Sequence, residues 1–207
     1  VLVLLNGSAL AVNWADENIP AMLEAWYPGQ AAGTAIAEVL FGDYNPGGRL
    51  PVTFYRSVED LPPFEDYEMD GRTYRYFEGD ALYPFGHGLS YTSFAYDSLR
   101  FRHMEDGTIE VRATVTNTGE REGDEVVQLY VQYPESDVER PIRELKGFDR
   151  ISLAPGETQV VRLRIDPAEL AYWNPDEDRW VIEAKPVRLQ IGASSLDIRL
   201  EETVAIE

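Results

Sequence analysis

Hydrophobic and polar positions follow two different rules along this chain. Val1–Leu5 is an unbroken aliphatic run, the pattern of a strand buried on both faces as in a parallel sheet, and Asn6-Gly7-Ser8 ends it. Over Gln30–Phe41 the apolar residues Ala32, Ala35, Ile36, Val39 and Leu40 recur at helical spacing, with Gly42 placed to cap the helix C-terminus. Strand followed by helix points to an α/β layer. A strand buried on both faces needs a neighbour on each side, and nothing precedes Val1, so this stretch is expected to be an incomplete layer.

From about Ser93 the period changes to two. Ile109, Val111, Ala113 and Val115 alternate with Glu110, Arg112 and Thr114, giving one dry and one wet face. Val127, Leu129, Val131 and Tyr133 form the next apolar row, with Gln128 and Gln132 opposite. Val161, Leu163 and Ile165 follow the Pro155-Gly156 turn, and Val187, Leu189 and Ile191 repeat the pattern. Trp180 and Ile182 alternate with Arg179, Val181 and Glu183, which predicts Trp180 inside the core. With strands near Phe94–Phe101, Leu145–Ile151 and Ile198–Val204, about seven or eight short strands result, which suits an antiparallel sandwich.

Between the two regions, Asn45 to Gly88 is rich in Pro, Gly and Tyr. Asn45-Pro46-Gly47-Gly48 is a strong turn signal, and Leu61-Pro62-Pro63 with the acidic stretch Glu65–Asp70 reads as a long irregular connection. Such loops are more often functional or domain-bridging than idle.

Composition narrows the chemistry. The 207 residues are 44% hydrophobic and 12% aromatic, enough for a packed globular protein. Acidic residues number 37 against 18 basic, a net charge of −19 that disfavours nucleic acid and membrane partners and suits neutral substrates such as sugars. No apolar run approaches the roughly 20 residues of a membrane-spanning helix. The absence of Cys excludes disulfides and thiolate chemistry, and two histidines, His87 and His103, make a His-based metal site improbable. No cofactor is implied.

Several phrases resemble family 3 glycoside hydrolases, the β-glucosidase and β-xylosidase family. Glu24-Ala25-Trp26-Tyr27-Pro28-Gly29-Gln30, then Val39 through Pro51 (VLFGDYNPGGRLP), is similar to the end of that family's α/β sandwich domain. Arg72–Phe77 (RTYRYF) and Leu82–Thr92 (LYPFGHGLSYT) resemble the segment entering its last domain. Val115–Gly119, Glu125–Val131, Lys146-Gly147-Phe148 and Gly192–Ser195 resemble its fibronectin type III-like domain. The resemblance implies the C-terminal part of an α/β sandwich domain over 1–64, a connecting segment over 65–92, and a fibronectin type III-like, immunoglobulin-like all-β sandwich over 93–207.

It also implies a larger enzyme that removes non-reducing-end β-linked glucose or xylose from an oligosaccharide or aryl glycoside. Retaining hydrolysis needs two carboxyl groups about 5–5.5 Å apart. In this family a barrel supplies the Asp and the α/β domain the Glu, both from segments before the position matching Val1. No catalytic residue is therefore assigned within this chain, which alone is expected to be inactive. The implied partners are the upstream barrel and α/β portions, or a companion chain carrying them. The alternative is a non-catalytic module that binds carbohydrate, mediates contacts between subunits or braces the structure.

Arg72, Tyr74, Arg75 and Tyr76 are the candidates for substrate proximity, since Arg and Tyr can bond hydroxyls and aromatic faces stack on sugars. The same residues could instead pin the long connection against the sandwich. The wording of that run leans towards the xylosidase branch. His87 could act as a general acid or base, but no partner for it is evident, and between two glycines it reads as a residue of a tight turn. Trp26-Tyr27-Pro28 could form a sugar platform, with a packing cluster at a helix start the more frequent role; Trp173 and Trp180 invite a carbohydrate-binding reading, and Trp173 beside Asn174-Pro175 is the more exposed candidate of the two. Asn6-Gly7-Ser8 fits the glycosylation acceptor pattern, with a turn after the strand as the simpler reading.

Overall fold

A computed structural model describes residues 1–206. The aliphatic start forms β1 (Leu2–Leu4), followed by a short helix α1 (Asn13–Asn18) and β2 (Met22–Glu24). β1 and β2 run parallel, Leu2 opposite Met22 and Leu4 opposite Glu24. Parallel pairing fits the aliphatic pattern, but burial on both faces does not: all six strand residues are half-buried, because β2 is the only partner of β1 among the described residues. Helix α2 (Ala32–Phe41) stands where the spacing places it and ends at Gly42, whose φ of 82° is the left-handed conformation glycine adopts without strain. No residue of α2 is buried, and Phe41 is 84% exposed. Among the described residues, no helix is long and apolar enough to cross a membrane.

The connection after α2 is irregular but tied down. Leu50 N–H donates to the His87 carbonyl and Gly86 N–H to the Leu50 carbonyl, each at 2.8 Å. Phe54 and Tyr83 form an isolated antiparallel bridge. These contacts close the intervening chain into a loop that carries the one-turn helix α3 (Thr73–Tyr76).

The second region is a two-sheet sandwich. Its strands are β3 (Phe94–His103), β4 (Ile109–Asn117), β5 (Gly123–Gln132), β6 (Glu144–Leu153), β7 (Thr158–Ile165), β8 (Tyr172–Asn174), β9 (Arg179–Val181), β10 (Val187–Gly192) and β11 (Ile198–Val204). One sheet has the order β11-β10-β5-β6, the other β3-β4-β7, all antiparallel. The predicted dry rows meet between the sheets: Val111, Val115, Leu129, Val131, Ile165, Leu189 and Ile191 are each at most 1% exposed. Burying each such side chain contributes roughly 1.5–3 kcal/mol.

Two expectations fail here. β8 and β9 pair only with each other, as a hairpin outside both sheets. Trp180 is therefore not core but 65% exposed, more so than Trp173 at 45%, and the two rings meet edge to face at 5.7 Å. Alternation put Trp180 and Ile182 on one side, but no second sheet covers that side.

The other failure concerns the face of β5 read as wet. Gln128 is 3% exposed, and its neighbour on that strand Tyr130 is fully buried, because the first region lies over them. Tyr130 Oη donates to Gln128 Oε1 at 2.5 Å, and Gln128 Nε2 donates to the Ala193 carbonyl at 2.7 Å and the Gly86 carbonyl at 3.2 Å. A Cβ at position 86 would sit 2.1 Å from Gln128 Oε1, so glycine is required there by space as well as by its φ of 82°. Arg49 and Glu125 form an ion pair at 3.0 Å across the same junction, with side chains only 8% and 5% exposed.

Candidate functional site

The tied-down loop forms one wall of a cleft of about 810 Å³. Trp26, Tyr55, Tyr74 and Phe85 line it, together with Pro51–Thr53. Each part of the lining is set by local constraints. Trp26 has φ 52°, an unusual conformation for a bulky residue that the surroundings must hold. Glu24 does so, accepting the Trp26 N–H at 2.9 Å on one oxygen and the Asn6 amide at 3.2 Å on the other. The Trp26 ring meets Phe54, buried to 2% exposure, edge to face at 6.1 Å. Asn6 also bonds the Ser8 carbonyl at 2.7 Å, which makes Asn6-Gly7-Ser8 the turn its sequence suggests.

Another part of the lining is carried by α3. Thr73, also at positive φ (57°), donates its N–H to the Tyr55 hydroxyl at 2.7 Å. Tyr74 stacks on Phe85 at 4.4 Å, meets Tyr130 edge to face at 5.9 Å, and accepts the Leu145 N–H at 3.0 Å. The Arg75 guanidinium pairs with Glu144 at 3.2 Å, while its carbonyl accepts the Ile142 N–H at 2.6 Å.

Of the four sequence candidates, Tyr74 and Arg75 line the cleft and Arg72 and Tyr76 do not. Arg72 turns into its own loop, donating to the carbonyls of Glu68, Pro63 and Asp66 at 3.0, 3.1 and 2.6 Å. Tyr76 is half-buried; burial raises its phenol pKa, helped by the charge of Glu144. The run thus pins the connection to the sandwich and also borders the cleft. Sequence reasoning missed Thr53, which is 6% exposed and whose hydroxyl in the cleft lining has no partner. Its only signal was a lone Thr in a Pro-rich turn, too common to single out.

His87, outside the cleft lining, stacks on Tyr83 at 5.3 Å. Burial, assisted by the charge of Arg49, lowers its pKa below the ordinary histidine value, so the ring is neutral near pH 7. That agrees with a packed residue of a tight turn. Among the described residues, no Asp or Glu lines the cleft and no group of His, Asp and Glu could hold a metal ion. The cleft offers aromatic faces, hydroxyls and one guanidinium. This is a surface able to bind neutral polyhydroxylated molecules, without the paired carboxyl groups that glycoside hydrolysis needs.

Comparison with known proteins gives this geometry a setting. Residues 1–91 match the family model described as the glycosyl hydrolase family 3 C-terminal domain, and residues 125–195 match that of the fibronectin type III-like domain. A xylan 1,4-beta-xylosidase of Xylanibacter ruminicola is 44% identical over 205 residues, which is 98% of this chain and 23% of that protein. A periplasmic beta-glucosidase of Salmonella typhimurium is 40% identical, over 96% of this chain and 28% of its own length. Beta-glucosidase 3B of Thermotoga neapolitana, solved with alpha-D-glucose, superposes with a TM-score of 0.91 at 36% identity, over 99% of this chain and 30% of that one. The chain spans about a quarter of the length of the curated relatives it matches.

Proposed function

Since the chain belongs to glycoside hydrolase family 3, carrying its C-terminal and fibronectin type III-like domains, we propose that it works as part of a retaining β-glycosidase. That enzyme removes β-linked glucose or xylose from the non-reducing end of an oligosaccharide or aryl glycoside. The observation that carries this reading is the end-to-end match, 98% of the chain at 44% identity to a xylan 1,4-beta-xylosidase. The nucleophilic Asp and the acid/base Glu are supplied by a barrel and an α/β portion outside these 207 residues, on the same or a companion chain. Support comes from the cleft itself, which has sugar-compatible walls and no carboxylate.

Within that enzyme, Tyr74 and Arg75 stand near the substrate path, and Arg72 and Tyr76 act behind them by holding loop and α3 in place. The division at about residue 93, with the preceding connection from 65, is part of the same proposal. The test compares the 207-residue chain with the complete gene product on 4-nitrophenyl β-glucoside and β-xyloside. The complete protein is expected to turn over at least one of them and release the β-anomer first, read by NMR, while the chain alone shows no turnover. Turnover by the pure chain, abolished by substituting one of its own carboxylates, would overturn the reading.

A further inference from the structure

The outer face of the β3-β4-β7 sheet breaks a rule that the rest of the molecule obeys. Arg100, Arg112 and Arg162 stand in cross-strand register, and in the next row Arg102 and Arg164 flank Glu110. Five of the chain's 18 basic residues thus share one face of a protein whose net charge is −19. Like charges directly opposite one another destabilise a sheet, so the row of three arginines works against folding.

The carboxylates present offset only part of it. Glu110, only 3% exposed, accepts Arg102 at 2.9 Å and Arg112 at 2.6 Å, with Arg164 at 3.9 Å. Asp97 lies one row further along, past the bulge in β3, and Asp106 sits in the β3–β4 turn. Arg100 bonds only the neighbouring Leu99 carbonyl, and Arg100 and Arg162 have no ion-pair partner among the described residues. A local rule broken with two of its five arginines left uncompensated points to a functional surface.

We propose that this face binds a carboxylate-bearing polysaccharide, a polymer of uronic acid sugars. Guanidinium forks take carboxylate oxygens in pairs. A single exposed pair is weak, so the ligand must repeat its charge to be held by several at once. A protein partner fits poorly, because stable interfaces have an apolar, aromatic centre. Here the rows beyond the arginines hold Thr114, Thr116 and Thr158, with Val160 the one large exposed apolar residue. The strongly acidic remainder repels anionic polymers at long range, so contact is local and fades as salt screens it.

Affinity electrophoresis of the intact chain in gels containing polygalacturonate tests this, with neutral xylan and duplex DNA as comparison polymers. At low ionic strength polygalacturonate is expected to retard the chain, xylan not to, and DNA to do so far less. Arg100→Gln with Arg162→Gln leaves the Glu110 cluster intact and is expected to weaken retardation roughly tenfold with no loss of thermal stability. Should that pair fail to fold, Glu110→Gln serves instead; it frees Arg102, Arg112 and Arg164 and is expected to tighten binding. No retardation of the wild type, equal retardation of the double variant, unchanged or weaker binding by Glu110→Gln, or equal retention by DNA would each overturn the proposal. The measurement involves no hydrolysis, so its failure leaves the glycosidase reading untouched.

Discussion

The two regions differ in how completely these 207 residues bury their apolar side chains. The sandwich encloses a continuous cluster from Leu99 to Val204 between its sheets. Residues 1–92 have only Ala15, Phe54 and Leu82 as buried apolar side chains, while Trp14, Tyr27, Phe41, Phe64 and Tyr67 are each at least 70% exposed. What order the first region has comes from backbone ties, the Glu24 clamp and its seat on Gln128 and Tyr130. The lesson is that a set of alternating strands is self-sufficient, whereas α/β elements with one paired strand borrow their order from whatever they rest on.

Cutting the chain is the most severe way to break that comparison. A 93–207 piece is expected to fold and to show lasting amide protection in β4, β5 and β10, and a 1–92 piece to exchange freely. Strong protection in the isolated first piece would erase the distinction. At the junction, Glu125→Ala strands Arg49 in a buried site and is expected to destabilise by about 3–5 kcal/mol, read from urea unfolding. An effect below about 1 kcal/mol would mean the pair is screened and the regions are only loosely joined.

Core truncations sharpen the contrast. Leu129→Ala, at a fully buried site, is expected to cost about 2–5 kcal/mol. Leu40→Ala on the uncovered α2 should stay within about 0.5 kcal/mol.

A smaller effect is expected from pH. Asp124 accepts bonds from Ser152 and Arg150, and Arg150 reaches across to the Tyr44 hydroxyl at 2.9 Å. Burial works to raise the Asp124 pKa, but the Ser152 and Arg150 bonds outweigh it and hold the carboxyl below its ordinary value. Its stabilising contribution is thus complete above the ordinary carboxylate range and lost as pH falls through the depressed folded value. Asp124→Asn should remove part of the acid sensitivity, by under about 1 kcal/mol, in unfolding midpoints compared at neutral and acidic pH. Equal acid sensitivity in the variant would refute the assignment. The smallest change is expected for Trp180→Ala, within about 0.5 kcal/mol, because the ring lies on an outlying hairpin. A loss of several kcal/mol would restore it to the core.

The sequence by itself determined which side chains share a face. Period two placed Val111, Leu129, Leu163 and Ile191 together on the dry side, and helical spacing with Gly42 set both the existence and the end of α2. These are local consequences of backbone geometry, legible wherever a strand or helix forms. The aromatic and arginine-rich run was visible too, but not that Tyr74 and Arg75 border the cleft while Arg72 turns away from it. Only the tertiary structure decided what covers each face. It left Trp180 bare, buried Gln128 and Tyr130 beneath the first region, and lined up Arg100, Arg112 and Arg162 across three strands. Burial and cross-strand register depend on partners tens of residues away, and periodicity carries no information about which partner arrives.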